Sequence, residues 1–296
     1  MIKRKFHFSI ILLLFFSSVI VSQSTYSTED SLICSKKFSF AEYNNLGHLP
    51  FDYVFINIAK SFIGTPYQPK TIESMSGEQL KIHLSGLDCY TFIETSLSLA
   101  RVIRSNKTTF TDFINEVKLI RYRNGKLHGW TSRLHYFSDW IYNLSKRRIL
   151  KDITKSIGGI PYNKKINFMS SHINAYPMLA ENKMRVDSIR QIEENISARS
   201  YYYIPEDLIE KSEDKINTGD ILGITTDIKG LDISHTAIAI KLSDRRIHIL
   251  HAPNVGKRVQ ISKLPLADYI KSHKHQTGIM VARPLSPNLK SKKWRR

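Results

Sequence analysis

The sequence predicts an α+β fold in which a helix opening at Cys89 packs on an antiparallel sheet, with additional helical insertions between them. Three observations predict it. From Cys89 to about Arg104, Phe92, Ile93, Leu97, Ala100 and Ile103 recur at helical spacing, a wide apolar face that leaves one helix end free. Four C-terminal runs, 220–226, 233–242, 246–252 and 278–283, are patterned as strands. Between these regions, 110–121, 133–141 and 177–196 read as helices.

Taken in order, Lys3, Arg4 and Lys5 precede an apolar run over 10–16 that continues to Val21, with small residues at Ser22 and Ser24. This is the pattern of a secretory signal peptide over 1–24, and the run is short for a permanent anchor. An uncleaved anchor is the alternative. Cys34 lies too far beyond the run, and lacks the small residue before it, to serve as a lipidation site. Export to the periplasm or cell envelope is the expected localisation. Residues 25–286 are expected to form one domain with a helical insertion around 105–200, followed by a basic tail over 287–296.

Hydrophobic residues at 42% and charged residues at 24% fit a packed core and exclude a disordered chain. The net charge of +18 raises the question of nucleic acid, yet no zinc-finger spacing, basic heptad or aromatic-glycine RNA signature is present. No nucleic-acid partner is expected. An exported basic protein meets anionic envelope surfaces, and weak electrostatic contact with them accounts for the charge.

Residues 51–62 predict an amphipathic helix stopped at Gly64, with Gly64-Thr65-Pro66-Tyr67 turning into extended chain. Ser76-Gly77 separates 69–75 from 78–84, which read as a hairpin or irregular strands. Ser85-Gly86-Leu87-Asp88 then leads into Cys89. Asp88 is a helix cap, so the thiol falls on the first turn, where backbone N–H groups and the positive dipole end favour a thiolate. Two other readings of Cys89 stand beside the nucleophile: a small buried hydrophobe, or half of a disulfide with Cys34, the only other cysteine.

Ser243-Asp244-Arg245 links two strands as an antiparallel hairpin. With the turn centred near Asp244, position 237 lies opposite 251, and His235 and His251 become same-face diagonal neighbours roughly 7 Å apart. Ala237 and Ala239 leave room on that face for a helix, and the Cys89 helix is the natural candidate. Two His near one thiol suit a Cys–His–His relay, zinc ligation, or a passive role as half-buried strand-end residues. No Cys-x-x-Cys or His-x-x-x-His spacing supports a structural zinc site, so neither metal nor cofactor is expected.

Gly64-Thr65-Pro66-Tyr67, Leu87-Asp88-Cys89, the 233–238 segment around Ser234 and His235, and the 249–253 segment around His251 together resemble the NlpC-type branch of papain-like cysteine amidases and peptidases. The resemblance implies a papain-like NlpC-type core. It implies Cys89 as nucleophile, His235 as general base and acid, His251 as the orienting residue, and Tyr67 near the oxyanion or substrate. The usual Asp-Cys-Ser-Gly is replaced by Asp88-Cys89-Tyr90-Thr91. Over most of the chain the pattern is similar to a subgroup described as N-acetylmuramoyl-L-alanine amidases, through 87–94, 133–136, Asp139-Trp140, 202–205 and 230–235. That likeness implies peptidoglycan fragments (muropeptides) as substrate and the lactyl-to-alanine amide as the scissile bond. Arg133, His135, Tyr136, Asp139 and Trp140 are the candidate substrate wall, and Asp88 and Ser234 are further expected oxyanion or substrate-binding residues. The alternative for the wall is a helix packed on the sheet. A D-glutamyl–diaminopimelate endopeptidase of the same fold and a non-catalytic wall-binding protein are the competing functions.

Overall fold

The computed structural model describes residues 24–74 and 77–287. Apart from Ser24 and Pro287, the expected signal segment and basic tail lie outside the described residues. The chain opens with β1 (Ser24–Thr25), α1 (Thr28–Tyr43), α2 (Phe51–Lys60), β2 (Leu80–Lys81), α3 (Cys89–Arg104) and α4 (Phe110–Arg121). Next come α5 (Phe137–Lys146), β3 (Leu150–Asp152), β4 (Ile160–Pro161), α6 (Phe168–Ser171), α7 (Pro177–Ala180) and α8 (Lys183–Ser197). The last part holds β5 (Tyr202–Pro205), α9 (Glu206–Ser212), β6 (Ile221–Thr226), β7 (Ile233–Lys241), β8 (Ile247–His251), β9 (Gln260–Ile261), α10 (Leu266–Lys271) and β10 (Gln276–Pro284).

The main sheet is antiparallel throughout, in the order β4-β5-β10-β6-β7-β8-β9, with β3 also paired to β10. Alternation along the strands separates two apolar faces. Ile221, Ile238, Ile240, Leu250 and Met280 join α2 and α3 in one core. Leu222, Ala237, Ala239, Ile249 and Val281 face the other way, against Leu266, Ala267 and Ile270 of α10 and Ile209 of α9. Each fully buried Leu, Ile or Phe contributes about 1.5–3 kcal/mol, so both layers hold the sheet rigid beneath the end of α3.

The four predicted strands and the helices at 51–62, Cys89–Arg104 and Phe110–Arg121 are present. α2 stops where Gly64 takes φ 92°, a left-handed turn that a Cβ would strain. Four expectations are corrected. The Ala237–Ala239 face receives α10 and α9, whereas α3 packs on the opposite, bulkier face through Ile238 and Ile240. For 69–84 the hairpin alternative gives way, among the described residues, to irregular chain with one short strand: Leu80–Lys81 pairs in parallel with Ser24–Thr25, while Glu73 and Glu78 turn to Arg133. The helix expected over 177–196 breaks in two, and Asn182 caps the second part by accepting from the Arg185 N–H. The segment around 105–200 is not purely helical, since β3 and β4 join the main sheet. Its later helices gather a satellite core of Trp130, Tyr136, Met169, Leu179 and Ile189.

Candidate active site

The approach to α3 is fixed by backbone pairing. The Leu87 N–H donates to the Pro66 carbonyl at 3.0 Å, the Gln68 N–H to the Leu87 carbonyl at 3.2 Å, and the Tyr67 N–H to the Lys257 carbonyl at 2.8 Å. Gly86 is required by close approach, because a Cβ there would stand 2.4 Å from Gln68 Oε1. Asp88 then caps α3: its Oδ1 accepts from the Tyr90 N–H at 3.1 Å and the Thr91 N–H at 2.8 Å, while the Asp88 N–H donates to Thr91 Oγ1 at 2.9 Å. This reciprocal box satisfies first-turn donors and places Cys89 as the first residue of the helix. Asp88 is therefore a positioning residue, committed to the helix.

Thr236 meets Cys89 from β7. Its hydroxyl donates to the Cys89 carbonyl at 2.7 Å, and Thr236 is close enough to the thiol to favour its anion. The neighbouring residue on the strand is His235. Its Nε2 lies 2.9 Å from His251 Nδ1, with the two rings at 5.1 Å and 79°. The β7–β8 register is the predicted one, pairing Ile238 with Leu250 and Ala239 with Ile249, so the expected diagonal neighbours touch.

The electrostatics differ from expectation. Burial pushes the Cys89 thiol up to about 11, and the Asp88 charge adds to the rise; hydrogen bonds from Thr236 and the Cys89 N–H oppose it. Desolvation of the anion outweighs the helix end, so the resting sulfur is a thiol rather than the expected thiolate. Burial lowers His235 to about 4, helped by the charge of His273. It lowers His251 to about 3, helped by His235 and His273. The thiol and both imidazoles are thus neutral at rest. Tyr67 stands close enough that burial, then the charges of Cys89 and Asp88, raise its phenol. Ser234 is exposed on β7 next to His235.

The residues of the expected substrate wall are engaged with partners inside the protein. Arg133 is buried, with Nε and Nη2 bidentate on Glu78 at 3.1 and 2.7 Å and Nη1 on Glu73 at 2.6 Å. A buried guanidinium needs such partners, and Glu78 and Glu73 supply them. The Tyr136 hydroxyl donates to Glu193 at 2.6 Å and accepts from the Met169 N–H at 2.9 Å, tying α6 and α8 to the body. Buried Asp139 pairs with Arg123 at 2.7 Å and Arg199 at 2.6 Å. Trp140 is a core residue stacked on Phe137 at 5.5 Å. His135 lies against Trp130, its Nε2 3.0 Å from the Trp130 carbonyl, and burial lowers it to about 3. The packed-helix alternative describes this segment.

Cys34 and Cys89 are both free, and Cys34 sits in the core with its thiol pushed up by burial to about 12. Among the described residues no group of three or more His, Cys, Asp or Glu is arranged to hold a metal ion. Thr236 was not foreseen, although its parity, opposite to that of His235, directs it toward α3. Tyr269, edge-on to His251 at 5.4 Å, was also missed, because α10 brings it to the site through tertiary packing alone.

Fold and site define a class: an α+β protein whose capped helix opens at a cysteine and packs on an antiparallel sheet that carries a hydrogen-bonded histidine pair. Residues 57–279 match the AmiA-like, N-acetylmuramoyl-L-alanine amidase-like family, and the chain belongs to that family. It is similar to the crystal structure of an N-acetylmuramoyl-L-alanine amidase from Bacteroides uniformis, with TM-score 0.75 and 32% identity over 80% of this chain and 99% of that one. It is also similar to a candidate xylanase from Bacteroides fragilis, with TM-score 0.73 and 34% identity over 77% and 99% of the two chains. A Legionella pneumophila protein shares the fold at TM-score 0.64 and 23% identity, over 88% and 96%. Comparison with curated proteins finds no match.

Proposed function

We propose that this protein is an exported cysteine amidase of the papain-like NlpC type that hydrolyses the N-acetylmuramoyl-L-alanine bond in peptidoglycan fragments. The observation that carries the reading is the 2.9 Å contact of His235 with His251, one strand residue from the Thr236 that holds Cys89. With His235 protonated on Nε2 and donating to His251 Nδ1, its Nδ1 is left as the proton acceptor. Cys89 Sγ attacks the lactyl carbonyl carbon as its proton passes to His235, so no resting thiolate is required. The Cys89 N–H at the helix end serves the developing oxyanion, with Tyr67 beside it. His235 then protonates the departing alanine nitrogen, leaving a thioester that water hydrolyses with His235 as base. Export rests on Lys3, Arg4 and Lys5 ahead of the apolar 10–16 run.

A glycosidase would need two carboxyl groups flanking the scissile bond, about 5–9.5 Å apart. Here the carboxylate nearest the nucleophile, Asp88, is committed to the helix cap. The test is to incubate purified protein with N-acetylmuramoyl-peptide and with free stem peptide, and to weigh the products. Release of intact peptide from the sugar acid supports the amidase. Cleavage only between D-glutamate and diaminopimelate would make it an endopeptidase, and binding without turnover a wall-binding protein.

A further inference from the structure

We propose that Tyr269 is a positioning residue that sets the orientation of His251 and, through it, of His235. The proposal rests on the Cys–His–His reading above and concerns a residue that neither the motifs nor the strand register touch. A column of four rings leads away from the reactive end. His235 meets His251 at 5.1 Å and 79°, His251 meets Tyr269 at 5.4 Å and 87°, and Tyr269 meets His273 at 4.2 Å and 32°.

The hydrogen bond between His235 and His251 fixes the direction of one nitrogen but leaves the His251 ring free to turn about that line. A perpendicular aromatic neighbour removes this freedom, because edge-to-face contact is favourable only over a narrow range of plane angles. Tyr269 is itself well held. The helix α10 is anchored by buried Leu266, Ala267 and Ile270. The Tyr269 carbonyl accepts from the Ser272 hydroxyl at 2.8 Å and lies 2.7 Å from His273 Nδ1. Burial raises its phenol, Gln276 opposes the rise and a charge on Cys89 adds to it. The ring is therefore rigid, adjacent to the pair and in the field of the nucleophile.

The role belongs to the ring rather than the hydroxyl, which gives a discriminating experiment. Tyr269→Phe keeps kcat and KM near the parent values. Tyr269→Leu preserves bulk in α10 but loses the aromatic plane, and lowers kcat about tenfold with little change in KM. Imidazole nitrogen NMR gives a readout independent of turnover: the His235 and His251 signals shift in Tyr269→Leu and stay in place in Tyr269→Phe. Alkylation of Cys89 by iodoacetamide slows in the Leu variant for the same reason. Equal losses in both variants would assign the role to the hydroxyl and overturn the proposal. So would a Leu variant, folded by circular dichroism, with unchanged histidine signals and alkylation rate. If the parent hydrolyses no muropeptide, the functional reading fails while the NMR and alkylation arms still decide this one.

Discussion

Two parts of the chain look equally chemical in sequence and differ completely in structure. Both the end proposed as reactive, with Cys89, His235 and His251, and the 133–140 segment mix polar with aromatic residues. In the segment every charge is answered inside the protein: Arg133 by Glu73 and Glu78, Asp139 by Arg123 and Arg199, Tyr136 by Glu193. At the reactive end the histidines face each other, and burial keeps them and the thiol uncharged. Polar–aromatic density therefore says little about reactivity. What separates the two is the kind of partner: opposite charges in the segment, uncharged groups at the other end.

Substitution is the most forceful way to break this contrast. Cys89→Ala is expected to lower kcat by about 10⁴ or more, with the unfolding midpoint unchanged. Arg133→Ala is expected to do the reverse. Glu78, whose side chain is 1% exposed, would be left buried without its cation, at a cost of about 3–5 kcal/mol in unfolding free energy. Activity of the remaining folded protein should stay near the parent level. A folded Arg133→Ala protein with KM raised at least tenfold would make Arg133 a substrate ligand and dissolve the distinction.

The pH dependence sharpens the same contrast more gently. His235 falls to about 4 and His251 to about 3 from an ordinary 6.5. These are depressed folded-state values. The stability linked to them is complete above about pH 6.5, and is lost as pH falls through about 4 and then 3. His235 remains a free base down to about pH 4, so the acid limb of kcat/KM should lie there. The thiol, raised to about 11, keeps the alkaline limb well above neutrality. A kcat/KM profile from pH 3 to 10 with its acid limb at 6–7 would show a solvated His235 instead.

Legibility in the sequence followed range along the chain. The cap at Asp88, the α3 face and the β7–β8 register are local facts of spacing, and the structure has them as expected. Parity alone put His235 and His251 on one face. Parity cannot tell which helix covers that face, and α10 took the place expected for α3. The partners of Arg133 were illegible for a related reason, since Glu73 and Glu78 lie 60 and 55 residues earlier and no periodicity links them. Tyr269 left no trace in the motifs because its meaning comes only from where α10 docks.

The smallest effects come from comparing two helix caps. Asp88 caps α3 and Thr109 caps α4, the latter by accepting from the Asp112 N–H at 3.0 Å. Replacing either by Ala should cost about 1 kcal/mol of stability. Only α3 carries the thiol on its first residue, so fraying there displaces the nucleophile. Asp88→Ala should lower kcat about tenfold, whereas Thr109→Ala leaves it unchanged. Asp88→Asn separates geometry from charge. The amide oxygen can still cap the helix, but the charge that helps raise the thiol is gone. Its thiol should titrate below about 11, read from the pH dependence of Cys89 alkylation, with kcat closer to the parent than in Asp88→Ala. Equal kcat losses in the Ala variants at both caps would mean that general softening, rather than placement of Cys89, governs the rate.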